Sequence, residues 1–164
     1  MITLIGHGYI GDNIAKKLIN DNIKFHWIHH GDEVSTDTTS IINAAGYTGY
    51  PNVDACEYNK QDTIQGNVVF PLSLEQKYKD IPIVHISSGC VYTGYKSGGW
   101  LETDPSNFSF QTGSFYSGSK DLAHTLLEPY LKTKSYVLRL RMPFGDNDHS
   151  KNFLSKMKNY KKLV

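Results

Sequence analysis

The sequence predicts an α/β fold: a doubly wound parallel sheet, Rossmann-like, in one shortened domain over residues 1–164. Three observations lead there. Short apolar runs rich in Ile and Val alternate with amphipathic stretches, the rhythm of strands buried on both faces and the helices that cover them. A glycine turn, Gly6-x-Gly8-x-x-Gly11, stands between the first apolar run and the first amphipathic stretch, where such spacing makes a phosphate-binding corner. With 164 residues, 39% hydrophobic and 20% charged, the chain can bury one real core.

Residues 2–5 form the first strand candidate. After the turn, Ile14, Ala15, Leu18 and Ile19 recur at helical spacing. Residues 23–28 read as a second strand, and residues 40–45 as a third that ends in a small-residue loop. Only residues 30–40 separate them, too few for a further helix and strand. Residues 62–79 read as a helix, with Gly66 and Pro71 as irritants and a kink expected at Pro71. Residues 81–87 are a buried type of strand. The glycine-rich stretch 92–113 is a long loop, and long loops in compact domains are often functional. A helix at 114–130, a strand at 135–140 and a closing helix at 152–160 complete the pattern. Right-handed crossovers place helices on both faces. There is no internal repeat.

Lys+Arg number 17 and Asp+Glu 16, for a net charge of +1, so nothing in the overall balance calls for nucleic acid. The basic cluster at 151–162 reads as a solvated helix face. No apolar run is long enough to cross a membrane. The N-terminus runs straight into a strand-like segment without a basic region or cleavage site, so it is not read as a signal peptide. Cys56 and Cys90 form neither a metal spacing nor a disulfide framework, which makes a cytoplasmic setting the default. His26, His29 and His30 cluster without further ligands at metal-site spacing, so no metal is expected.

The glycine turn carries the cofactor expectation. Gly6 allows the sharp turn, Gly8 lets backbone approach a pyrophosphate, and Gly11 lets helix and strand pack closely. The free N–H groups beyond it, at Tyr9 and Ile10, face the phosphates. The second strand normally ends in an acid that holds the ribose 2′-hydroxyl. Here it ends in His29 and His30, which leans toward a 2′-phosphate and NADP over NAD, with Asp32 or Glu33 able to serve if the strand runs longer. A second pattern is Tyr116-x-x-x-Lys120, which puts a phenol and an ammonium on one face of a helix. A nearby ammonium lowers a phenol's pKa, and such a tyrosine can exchange a proton with a carbonyl oxygen.

Taken in order, these pieces resemble the extended short-chain dehydrogenase/reductase family. The glycine turn opens the chain, and Asn43-Ala44-Ala45-Gly46 ends the central strand. Ser87-Ser88-Gly89-Cys90-Val91-Tyr92 ends the next, Tyr116 and Lys120 begin the following helix, and Arg139-Leu140-Arg141-Met142-Pro143-Phe144-Gly145 ends the last strand. The closer resemblance is to the nucleotide-sugar reductases of rhamnose synthesis, in particular the bifunctional 3,5-epimerase/4-reductases. It rests on Gly49-Tyr50-Pro51-Asn52-Val53-Asp54-Ala55-Cys56-Glu57, on Thr63 to Val69, on Gly113 to Ser117, and on Asn152-Phe153.

The resemblance implies an NAD(P)H-dependent reductase, with a 3,5-epimerase activity as an extension, acting on a 4-keto-6-deoxy nucleotide sugar. It assigns Tyr116 as the general acid at the 4-keto oxygen, and Lys120 as the group that lowers the Tyr116 pKa and holds the nicotinamide ribose. Ser88 hydrogen-bonds the carbonyl oxygen, and Cys90 shuttles a proton at a sugar carbon. Lys156 is a positional candidate for the second epimerase acid. Asn67 is a relay asparagine or, read from the residues alone, a polar helix residue facing solvent. Gly6, Gly8, Tyr9, Ile10, Gly11, His29, His30, Asn43, Ala44, Ala45, Lys120 and Pro143 are the expected cofactor contacts, with Tyr47, Thr48 and Phe144 near the nicotinamide or sugar. Trp27 and Trp100 read as packing or loop cover. The same resemblance allows a homodimer through the helices bearing Tyr116 and residues 62–79. Relatives continue into a C-terminal substrate lobe that this chain is expected to lack. Two other readings stay open at this point: a non-catalytic dinucleotide-binding regulatory or scaffold protein, and an epimerase or dehydratase that retains its NAD.

Overall fold

The computed structural model describes residues 1–108, 110, 111 and 113–160. Lys161 and Lys162 of the basic cluster, and two positions of the long loop, lie outside the described residues. Five strands, β1 (Ile2–Ile5), β2 (Phe25–Ile28), β3 (Ser40–Asn43), β4 (Ile83–Ser88) and β5 (Tyr136–Leu140), form one sheet in the order β2-β1-β3-β4-β5. All pairs are parallel. The chain winds outward from β1 to β2, returns, and winds the other way through β3, β4 and β5. Right-handed crossovers therefore put α1 (Tyr9–Asn20) on one face. They put α2 (Lys60–Ile64), α3 (Phe70–Lys77) and α4 (Phe115–Leu131) on the other. The direction reverses between β1 and β3, which is where open α/β sheets place their ligands. A short α5 (Phe153–Asn159) follows β5.

The register shows which residues each face receives. Thr3, Ile41 and Ile83 stand in one row, and Ile5, Asn43, His85 and Val137 in the next. Ile5, Ile41, Ile83 and Leu74 of α3 form the buried cluster, with Phe70, Val34 and Tyr78 packed on it. Each such aliphatic side chain contributes about 1.5–3 kcal/mol by leaving water.

Several boundaries differ from the sequence expectation for local reasons. The second strand begins at Phe25 and not at residue 23. Asn22 takes a left-handed conformation (φ 56°), and the Ile23 N–H returns to Leu18 O at 2.9 Å. Ile23 thus closes α1 in a Schellman-type cap. Ile19, expected on the buried stripe, is 60% exposed. The third strand stops at Asn43, with the Ala44 N–H still donating to Ile5 O at 2.9 Å. The expected helix at 62–79 runs from Lys60 to Lys77 and is interrupted by a π turn, Gln65–Val69. Pro71 comes just after the π turn, at the start of α3, so the irregularity falls upstream of the proline and the helix runs on through it. Among the described residues, no helix is long and apolar enough to cross a membrane, and no cluster of His, Cys, Asp and Glu is arranged to hold a metal.

Candidate active site

The three glycines have separate tasks. A Cβ on Gly6 (φ +107°) would meet Ala45 N at 2.8 Å, and one on Gly11 would press on Gly6 O. Both positions are closed by backbone. A Cβ on Gly8 would meet nothing within 4 Å, so this residue opens into free space at the start of α1. Gly8 is also the N-cap and supplies no side-chain acceptor, leaving the first-turn N–H groups for an outside anion. These residues fit a dinucleotide pyrophosphate.

Two cavities meet at this corner. The larger, about 470 Å³, is lined by Gly6, His7, Gly8, His29, His30 and Ala44–Tyr47, with Asp62, Gln65, Gly66 and Phe70 beyond. The smaller, about 210 Å³, is lined by Gly8, Tyr9, Ile10, Ala44–Gly46, Thr48, Ser88, Tyr116, Lys120, Pro143 and Lys151, among others. They share Gly8 and Ala44–Gly46 as walls, so they form one cleft across the point between β1 and β3.

Local structure brings the reactive groups into the smaller cavity. Ser114 caps α4, accepting the Ser117 N–H at 3.1 Å. Glu57 accepts the Phe115 N–H at 2.6 Å, adding a carboxylate to the positive end of the helix. Tyr116 and Lys120 follow on one buried face, 8% and 7% exposed. Ser88 ends β4, accepts the Cys90 N–H at 3.1 Å and lines the same cavity as Tyr116. The Lys120 ammonium lies 5.8 Å from the Tyr116 ring centroid.

The electrostatics correct one expectation. Lys120 does not lower the Tyr116 pKa. Burial pushes the phenol up to about 12, the nearby Cys90 and Cys56 add to this, and the Ser88 hydroxyl opposes it. The phenol therefore holds its proton at neutral pH, the state a proton donor needs. Burial also pulls the Lys120 ammonium down to about 8, with Cys56 opposing.

Of the other expected contacts, Tyr9, Ile10, Ala44, Ala45, His29, His30 and Pro143 line the cleft. The Tyr9 ring stacks on His149 at 4.9 Å. The Asn43 side chain lies beneath the loop: it is 1% exposed and accepts the Ala45 N–H at 3.1 Å, shaping the wall without forming it. Asn67 does not face solvent. It clamps Tyr47 by accepting its N–H and donating to its carbonyl, both at 2.9 Å, and also donates to Ser119 Oγ. Cys90 is exposed. Phe144 points out, 71% exposed, and Lys156 lines a separate cavity with Asp148 and His149. Trp100 covers Tyr92 in the long loop. Trp27 supports the glycine turn, donating to Gly6 O at 3.0 Å.

Sequence reasoning missed His7, which stacks between Trp27 and His29 at 4.3 and 4.1 Å. It also missed Lys151, whose ammonium reaches Thr48 Oγ1 at 2.7 Å across the cavity mouth.

Residues 7–163 match the family model described as the RmlD substrate binding domain. The chain is 38% identical over 143 residues to the bifunctional dTDP-4-dehydrorhamnose 3,5-epimerase/dTDP-4-dehydrorhamnose reductase of Arabidopsis thaliana, an alignment that covers 81% of this chain and 46% of that protein. The chain thus spans about half the length of that relative. A UDP-rhamnose synthase from Acanthamoeba polyphaga mimivirus superposes with a TM-score of 0.81 at 23% identity, covering 99% of this chain and 63% of that one. A dTDP-4-dehydrorhamnose reductase from Bacillus anthracis, in complex with NADP, superposes with a TM-score of 0.73 at 19% identity, covering 96% and 58%. The last two likenesses concern the fold.

Proposed function

This chain belongs to the RmlD substrate binding domain family, and from that premise we propose that it is an NAD(P)H-dependent reductase of a 4-keto-6-deoxy nucleotide sugar. Residues 1–164 act in this reading as one dinucleotide-binding, Rossmann-like unit. The observation that carries it is the meeting of Ser88, Tyr116 and Lys120 in a cavity whose opposite wall is the glycine turn. A reduced nicotinamide bound there supplies a hydride. Tyr116, protonated, gives its proton to the 4-keto oxygen, while Ser88 hydrogen-bonds that oxygen and orients it. Lys120 places a cation beside both and holds the cofactor ribose. Gly8 and the first turn of α1 receive the pyrophosphate.

NADPH is the favoured cofactor. His7, His29 and His30 line the larger cavity, and neither acid at the end of β2 does. Asp32 is occupied by the His29 N–H at 2.8 Å and Glu33 by Lys77 at 2.7 Å. The one carboxylate in that lining is Asp62, from α2.

A second activity, 3,5-epimerisation, is favoured by the position of Cys90. It is exposed and close enough to Tyr116 to act on its phenol electrostatically, so its sulfur borders the reacting carbonyl. A homodimer through α2–α4 is supported by exposed Val69, in the π turn between α2 and α3, and exposed Leu126 on α4.

The test is spectrophotometric. Protein, NADPH and a 4-keto-6-deoxy nucleotide sugar should lose the reduced-nicotinamide band, and Tyr116→Phe should abolish the loss. Dinucleotide binding without turnover would replace this reading with a regulatory or scaffold role. Turnover without net NADPH loss would replace it with an epimerase or dehydratase that retains its cofactor.

A further inference from the structure

A line of buried polar groups leads from the far end of the sheet to the loop that walls the cleft. Lys134, just beyond α4, donates to Tyr78 O and Ile81 O at 3.0 and 2.9 Å, and its ammonium lies 2.7 Å from Glu75 Oε2. Glu75 Oε1 is 3.0 Å from His85 Nε2, and His85 Nδ1 is 3.2 Å from Asn43 Nδ2. Asn43 Oδ1 accepts the Ala45 N–H at 3.1 Å. Glu75, His85 and Asn43 are all essentially buried, at 0, 2 and 1% exposure.

The direction of each bond follows from one end. A backbone N–H can only donate, so Asn43 presents its oxygen to Ala45 and its NH₂ to His85. His85 Nδ1 must then accept, which leaves the ring proton on Nε2, directed at the Glu75 carboxylate. Burial pushes the Glu75 carboxyl up, but the His85 ring, the Lys134 ammonium and the Ser135 hydroxyl outweigh it and hold it below the usual range. The Lys134 ammonium balances the carboxylate charge. A proton on Nδ1 would confront the Asn43 NH₂, and turning that amide over would confront the Ala45 N–H.

We propose that Glu75 and His85 are positioning residues for the cofactor loop, acting through Asn43 to fix Ala44–Ala45–Gly46 against Gly6. The link from loop to cofactor rests on the reading above; the link from His85 to Ala45 does not. The fit is close, because Ala45 N is the atom a Cβ on Gly6 would strike. Asn67 holds the other end of the loop at Tyr47, so the two ends are held by separate devices.

That separation gives the test an internal reference. In ¹⁵N-labelled full chain, hydrogen exchange at the Ala45 amide is compared with that at Tyr47. His85→Leu should speed Ala45 relative to Tyr47 and weaken NADPH binding, each by about tenfold or more, the scale of a buried hydrogen bond left unmade. His85→Asn, which can offer an acceptor oxygen near the place of Nδ1, should recover most of both. Asn43→Ala combined with His85→Leu should lose no more affinity than Asn43→Ala alone. If His85→Leu lowers the melting temperature yet leaves the Ala45-to-Tyr47 ratio unchanged, or if the two affinity losses multiply, His85 merely supports the core and the proposal is wrong. Should His85→Leu not fold, imidazole ¹⁵N shifts of the unmodified protein decide: the proposal needs a bare Nδ1 and a protonated Nε2. A wild-type chain that fails to bind NADPH overturns the functional reading but leaves the exchange experiment decisive for this one.

Discussion

Replacing Lys120 by Met should make this protein more stable and inactive. Burial lowers the Lys120 pKa from 10.5 to about 8. The native state therefore binds this proton more weakly than the unfolded chain does. At about 1.4 kcal/mol per pH unit, the native state forfeits about 3 kcal/mol at neutral pH by carrying the charge. The penalty is full below about 8 and is relieved as pH rises from about 8 to 10.5. Methionine keeps an unbranched apolar stem of similar length and removes the charge. At pH 7, urea unfolding of Lys120→Met should thus show about 3 kcal/mol of added stability, or a melting point raised by roughly 6–12 °C for a chain of this size. At pH 10.5 the gain should have nearly vanished, because wild type has by then shed the proton. An equal gain at both values would mean that Met stabilises by apolar packing. No gain at pH 7 would mean that the ammonium is better solvated than its position implies. NADPH oxidation should be lost in either case.

Gly8→Ala should leave the melting temperature nearly unchanged, since its Cβ meets nothing within 4 Å, yet weaken dinucleotide binding by about tenfold or more, the second glycine being the one a pyrophosphate approaches. Gly6→Ala should instead destabilise by about 2 kcal/mol or more through its positive φ and the adjacent loop backbone; an unaltered urea midpoint would contradict that geometry. Asn67→Ala strands the N–H and carbonyl of Tyr47, an expected cost of about 2–4 kcal/mol, and a measured loss under about 1 kcal/mol would show that water replaces the clamp. Cys90→Ser should abolish solvent deuterium uptake at C3 and C5 of the sugar while NADPH oxidation with an already epimerised substrate persists; retained uptake removes Cys90 from the epimerase step.

What the sequence made legible were requirements met within a few residues. Gly6, Gly8 and Gly11 fell in the predicted corner, and Ser114, Tyr116 and Lys120 in the predicted helix start, because turns and caps are local demands. Strand and helix ends were less legible. Ile23 looks like a strand residue, but the left-handed Asn22 gives its N–H to a helix carbonyl. Least legible were features made by distant parts of the chain. The Tyr116 pKa moves up because of burial, which the whole fold sets and the spacing of Tyr116 and Lys120 does not reveal. His7 acquires its place only when β2 lies beside β1, and Glu75 and His85 meet across two elements. Polar residues so placed look like surface positions until their partners are known.

The π turn at Gln65–Val69 has a mechanical consequence. An extra residue in one turn advances the angular phase of everything downstream by about 100°. A single rod from Lys60 to Lys77 can then show one azimuth to the Tyr47 backbone, through Asn67, and a different one to the sheet, through Leu74 and Glu75. Deleting one residue there would restore ideal periodicity and, by the same step, swing one of those two azimuths off its target. The segment thus tolerates a change of side chain better than a change of length, the reverse of an exposed loop.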